Sequence, residues 1–131
     1  MPAQLAAFGI IVDDMARALA FYRELGIELP PDADAQPHAE ATLPGGLRLL
    51  FDTADTIRSF DDEWQPPPDG QHRMELAFEL DTPAEVDEFY GRLTSLGYHG
   101  YKEPWDAFWG QRYAIVHDPD SNGVSLFSPN P

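Results

Sequence analysis

Three features of the sequence predict an α+β chain made of two tandem βαβββ units. The first is an internal repeat. The segment Phe8-Gly9-Ile10-Ile11-Val12-Asp13-Asp14 is an apolar strand ending in acid, and Phe21-Tyr22 and Leu25-Gly26 follow it. Sixty-eight positions on, Leu76-Ala77-Phe78-Glu79-Leu80-Asp81 leads into Phe89-Tyr90, then Leu93 and Leu96-Gly97. Repetition at this period marks one supersecondary unit used twice. The second feature is a helical apolar stripe after each of these strands. The third is a series of short apolar runs, bounded by Gly, Pro, Asn and Asp, after each helix.

In unit one the opening strand spans Leu5 to Val12. Asp14 stands where a short carboxylate accepts the free N–H groups of a helix start. Met15, Ala18, Leu19, Tyr22 and Leu25 recur at helical spacing, and Gly26 stops the helix. Strands are predicted at Gly26 to Pro30, His38 to Leu43 and Leu47 to Asp52, the last two joined by the hairpin turn Pro44-Gly45-Gly46. Thr53 to His72, with Pro66-Pro67-Pro68, has no periodicity and reads as a linker stiffened by proline. In unit two Thr82 is the N-cap, Pro83 occupies the first helical position and Glu85 completes a capping box. Val86, Phe89, Tyr90 and Leu93 form the stripe, and Gly97 ends it. Strands are predicted at Gly97 to Glu103, Arg112 to His117 and Val124 to Ser128, with Asp118 to Gly123 as turn-formers between the last two.

The chain of 131 residues is thus expected to be a single domain: unit one over about 1–53, a linker over 54–72 and unit two over 73–131. Without cysteine there is no disulfide and no thiolate chemistry. The apolar runs are too short for a membrane span, and no signal peptide is visible, so a cytoplasmic location is expected. The formal charge of -15 would repel a polyanion, which sets nucleic acid aside as a partner. An acidic field instead concentrates cations.

The residues Ile10 to Asp14 and Phe21 to Gly26, with Trp105, Trp109-Gly110-Gln111-Arg112 and Asp118-Pro119-Asp120-Ser121-Asn122-Gly123, resemble the vicinal oxygen chelate superfamily. That group holds glyoxalases, extradiol dioxygenases, fosfomycin-resistance enzymes and bleomycin-resistance-type binding proteins. The resemblance implies that the two curled mixed half-sheets form a cup with the helices outside, and that the chain forms a homodimer. It also implies metal-ligand positions on the first and last strand of each unit. These fall on Ala7 and Arg48 in unit one, and on Glu75 and Ser125 in unit two. Ala7 has no donor atom, Arg48 repels a divalent cation and Ser125 is a poor ligand, so only Glu75 suits a metal. No metal and no other cofactor is therefore expected. The four histidines, His38, His72, His99 and His117, lack ligand spacing and read as scattered rim residues.

Alternation along the last strands sends Leu47, Leu49, Phe51, Val124 and Leu126 toward the helices. Arg48, Leu50, Asp52, Ser125 and Phe127 then face the cup. Rings are dense late in the chain: Tyr98, Tyr101, Trp105, Phe108 and Trp109, with Trp64 in the linker. Glu103 and Asp106 sit among them in a segment, Glu103 to Gly110, that reads as a loop. The candidate ligand-binding set is Trp64, Trp105, Phe108, Trp109, Glu75, Asp52, Arg48, Phe127, Asp106 and Tyr101, with no catalytic residue. The function expected is metal-free capture of an aromatic, basic natural product or antibiotic. The alternatives are a divalent-metal lyase, isomerase or oxygenase with an unusual ligand set, and a module whose rings serve dimerisation alone.

Overall fold

Both helix starts carry the side-chain N-cap read from the sequence, while the Glu85 carboxylate, expected to complete a capping box, accepts the Thr82 hydroxyl instead. In the computed structural model, which describes residues 4–67 and 74–131, the Asp14 carboxylate accepts the Arg17 amide at 3.0 Å and opens α1 (Met15–Glu24). Thr82 accepts the Glu85 amide and opens α3 (Pro83–Ser95). Pro68 and His72, expected in the linker, lie outside the described residues.

Unit one, Met1–Pro66, holds β1 (Ala7–Val12), β2 (His38–Thr42) and β3 (Arg48–Thr53) in the order β1-β3-β2. The β1–β3 pair is parallel and the β2–β3 pair antiparallel, closed by the expected hairpin turn, in which Gly45 and Gly46 have φ of +88° and +91°. The stripe of α1 covers one face. Tyr22 and Phe21 are fully buried, and the Tyr22 ring lies 5.3 Å from Phe51.

Two expectations for unit one are corrected. Gly26 to Pro30 is not a strand. Arg23 donates to the carbonyl oxygens of Pro30, at 2.9 Å, and Leu29, at 3.5 Å, and pairs with Asp34 at 2.8 Å. Pro30 and Pro31 have no N–H, so the end of this segment is short of both acceptors and donors for a ladder. A 3-10 turn at Pro31–Ala35 follows instead. The linker also contains structure: α2 (Ala54–Arg58) begins at Thr53, whose hydroxyl accepts the Thr56 amide. Five residues are too few to display a helical period in sequence.

Unit two, Pro67–Pro131, is a full βαβββ unit. Its strands are β4 (Glu75–Glu79), β5 (Gly100–Ala107), β6 (Gln111–His117) and β7 (Gly123–Pro129), ordered β4-β7-β6-β5 with β4–β7 parallel. Asp118 shapes the β6–β7 turn by accepting the amides of Asp120 and Asn122 and the Asn122 side-chain amide. Val86 and Leu93 of α3 pack with buried Ala114, Val116, Val124 and Leu126 on one face of the sheet.

A third correction concerns the ring-rich segment. β5 continues to Ala107, so Glu103 to Ala107 is strand, and only Phe108 to Gly110 forms the turn into β6. Gly110, at φ +92°, makes that turn tight. Irregular register in β5 hides the strand in the sequence. Lys102 pairs with Ile115 and Trp105 with Tyr113, so three steps on β5 match two on β6. Such a bulge breaks the alternation that betrays a strand. It also accommodates Pro104 on an edge strand.

Candidate ligand-binding face

Each sheet turns one face to its helix and leaves the other for a different role. In unit one the second face carries Ala7, Gly9 and Ile11 of β1, Arg48, Leu50 and Asp52 of β3, and His38, Glu40 and Thr42 of β2, as the register dictates. Its charges are mutually satisfied. His38 Nδ1 lies 2.6 Å from Asp52 and its Nε2 lies 2.9 Å from Glu40, while Arg48 donates to the other Glu40 oxygen at 2.8 Å. The hydrogen bonds to Glu40 and then Asp52 raise the His38 pKa above 6.5. The same histidine, then Arg48, lowers the Glu40 carboxyl. Asp52, His38, Glu40 and Arg48 thus form one line of polar contacts across β2 and β3.

The corresponding face of unit two is built from rings. Glu79, Phe127, Tyr113 and Trp105 occupy successive register positions on β4, β7, β6 and β5, one row straight across the sheet. Tyr113 stacks at 22° on Phe127 with centroids 6.1 Å apart. Trp105 and Trp109 both meet the Tyr113 ring edge-on at 5.4 Å, and Phe108 meets Trp109 at 5.0 Å. These geometries suit aromatic quadrupoles. Phe108 is 97% exposed and Trp109 49% exposed, so the wall is open at the β5–β6 turn. Toward β4 the wall becomes polar. The Tyr113 hydroxyl donates to Glu75 at 3.3 Å. Burial raises the Tyr113 pKa above 10.0, the Glu75 charge acts in the same direction, and the hydroxyl stays a donor. Ser125 is fully buried beneath this face.

The expected site residues divide into groups. Trp105, Phe108, Trp109, Phe127 and Glu75 are brought together on this face. Tyr101 is on the same sheet but stacks on His117 at 4.7 Å, and His99 lies 5.1 Å from that imidazole. His117 is only 4% exposed, so the expectation that the histidines sit at the rim fails for it. Asp106 belongs to the opposite face: it pairs with Arg112, which also forms a two-pronged bond to Asp87 of α3. Arg48 and Asp52 are in unit one, at the two ends of the line of contacts through Glu40 and His38. Trp64, also in unit one, has the Arg58 guanidinium 5.2 Å above its ring. Sequence reasoning misses Glu79, Tyr113 and Lys102 on this face. Alternation through Tyr113, Ala114 and Val116 is the signal that could find Tyr113; nothing in the pattern finds Lys102, because a bulge places it.

The four positions that the resemblance assigns to a metal do not suit one. Ala7 and Arg48 are register partners in unit one, and the Arg48 guanidinium is spent on Glu40. In unit two Ser125 is buried and Glu75 is hydrogen-bonded to Tyr113. Among the described residues no three His, Asp or Glu side chains are placed to hold a metal ion. One carboxylate cannot assemble the three protein ligands that a catalytic divalent ion normally needs.

The family model for the Glyoxalase/Bleomycin resistance protein/Dioxygenase superfamily matches residues 4–126. The chain belongs to that superfamily. Comparison with curated proteins gives no match. Among solved structures, a glyoxalase/bleomycin resistance protein/dioxygenase family enzyme from Burkholderia phytofirmans is similar, with TM-score 0.79 and 19% identity over 97% of this chain and 99% of that one. A glyoxalase-related enzyme from Fulvimarina pelagi reaches TM-score 0.79 at 19% identity, covering 95% of this chain and 87% of its own. A lactoylglutathione lyase from Agrobacterium tumefaciens is 24% identical, with TM-score 0.66, covering 97% and 94%. At these identities the likeness carries the fold alone. No helix among the described residues is long and apolar enough to cross a membrane.

Proposed function

We propose that this chain binds a planar aromatic organic molecule on the ring-lined face of its second sheet, without a divalent metal. The single observation that carries this is the row of Phe127, Tyr113 and Trp105, extended by Trp109, with the Tyr113 hydroxyl bonded to Glu75. Aromatic walls with a few placed polar groups are the composition of small-molecule sites. Glu75 favours a guest with a basic or hydrogen-donating group at that end. The unsuitable donor set at Ala7, Arg48, Glu75 and Ser125 supports binding without a metal.

The test is tryptophan quenching and thermal shift with planar aromatic compounds in EDTA. A Trp64→Phe background removes the one tryptophan outside unit two. Stacking contributes about 1–3 kcal/mol per ring in nucleic-acid systems, so Trp105→Ala or Trp109→Ala is expected to weaken binding by about fivefold or more. Absence of quenching and of any melting shift at millimolar ligand would refute the proposal. Turnover abolished by EDTA would favour metal chemistry. Loss of a dimer in Trp109→Ala, with no ligand found, would make the rings a subunit contact.

A further inference from the structure

The chain contains a single lysine, Lys102, against 23 carboxylates. Among the described residues it forms no ion pair, whereas Arg23, Arg48, Arg58 and Arg112 each have a carboxylate partner within 3.5 Å. Its ammonium instead lies 4.2 Å from the centroid of the Trp105 ring. That position depends on the β5 bulge. In a regular strand, residues three apart point to opposite faces. The extra residue between Lys102 and Trp105 brings both to the face of Ile115 and Tyr113. Bulges re-aim side chains in this way. A flexible ammonium held by a ring quadrupole at an exposed site is held weakly. A charge-assisted hydrogen bond to an anion is stronger.

We infer that Lys102 recognises an anionic group of the guest. In the free protein its ammonium covers the Trp105 ring; when a guest carrying a carboxylate or sulfonate arrives, the ammonium leaves the ring for that anion and exposes the stacking surface. Glu75 lies on β4 and Lys102 on β5, at opposite edges of the β4-β7-β6-β5 sheet. Three inter-strand steps of about 4.8 Å separate those edges. The guest is therefore an elongated aromatic zwitterion, with its basic end at Glu75 and its acidic end at Lys102. Such a guest has no net charge, so the acidic field of the whole chain does not oppose its approach. This inference rests on the ring-lined face being the binding face.

The experiment compares 6-(aminomethyl)-2-naphthoate with its methyl ester, which keeps the ring and the amine and loses the anion. The wild-type protein is expected to bind the acid about tenfold more tightly than the ester, as a charge-assisted contact implies. Lys102→Met is expected to abolish or reverse that preference, and Lys102→Arg to keep it. Reductive methylation with carbon-13 retains the charge and labels Lys102 as the chain's only lysine side chain. Its signal should be displaced by the Trp105 ring current in the free protein and relax when the acid binds. Equal affinity of acid and ester for the wild type, or an unchanged ratio in Lys102→Met, would overturn the inference and leave the aromatic face standing. Failure of both probes to bind would overturn the aromatic face as well.

Discussion

At the scale of residues, His38 shows how geometry sets a charge. Both imidazole nitrogens face carboxylates, so only the protonated ring can donate to Asp52 and Glu40 together. The folded-state pKa is raised above 6.5. Its stabilising contribution is therefore complete below pH 6.5 and is lost as pH climbs through the raised value. Glu40 titrates with the opposite sign: its lowered pKa gives a contribution present above 4.5 that disappears as pH falls. The difference in Tm between wild type and His38→Gln should be largest near pH 6 and vanish in alkali. A difference independent of pH would contradict the charged bridge. In the sequence His38 and Asp52 are visible only as separate polar residues. Their meeting needs the antiparallel register of β2 on β3, in which they are directly paired. Hairpin registers are fixed by turn geometry, which sequence patterns convey poorly.

At the scale of elements, helix boundaries are legible because capping is local chemistry. Asp14 and Thr82 each bond to an amide three residues on, as expected. Thr82→Ala should cost about 1 kcal/mol in chemical denaturation through loss of the N-cap. Strands are harder to read where long-range bonds decide them. Arg23 takes the carbonyls of the segment that would otherwise be a fourth strand in unit one, and a bulge disguises β5 as a loop. The beginning of β5 carries a steric constraint. A methyl group at Gly100 would collide with the Tyr90 ring of α3. Gly100→Ala should destabilise the fold by about 1–3 kcal/mol, the usual cost of overpacking. Adding Tyr90→Leu to that variant should recover part of the loss, because the colliding hydroxyl and ring are then gone. Lack of recovery would place the strain elsewhere.

For the molecule as a whole, the repeat that makes the fold readable also explains what it hides. The two units share strand, helix and hairpin, so their likeness identifies the superfamily, as residues 4–126 confirm. A superfamily fold does not by itself convey function, and the two copies differ on the face turned away from the helix. One non-helical face carries a line of contacts through Asp52, His38, Glu40 and Arg48; the other carries Trp105, Tyr113 and Phe127. Neither offers three converging metal donors among the described residues. This makes a prediction for the whole protein. A metal site of the folded state present at 100 times its Kd would add about 2.7 kcal/mol of stability. For a domain near this size that corresponds to a rise in Tm of several degrees. Zinc, manganese, nickel or ferrous iron added at about 0.1 mM to chelator-treated protein should leave Tm unchanged, and EDTA should not lower it. A rise of several degrees with one of these ions, abolished by Glu75→Ala, would restore a metal to the binding face and overturn the metal-free proposal.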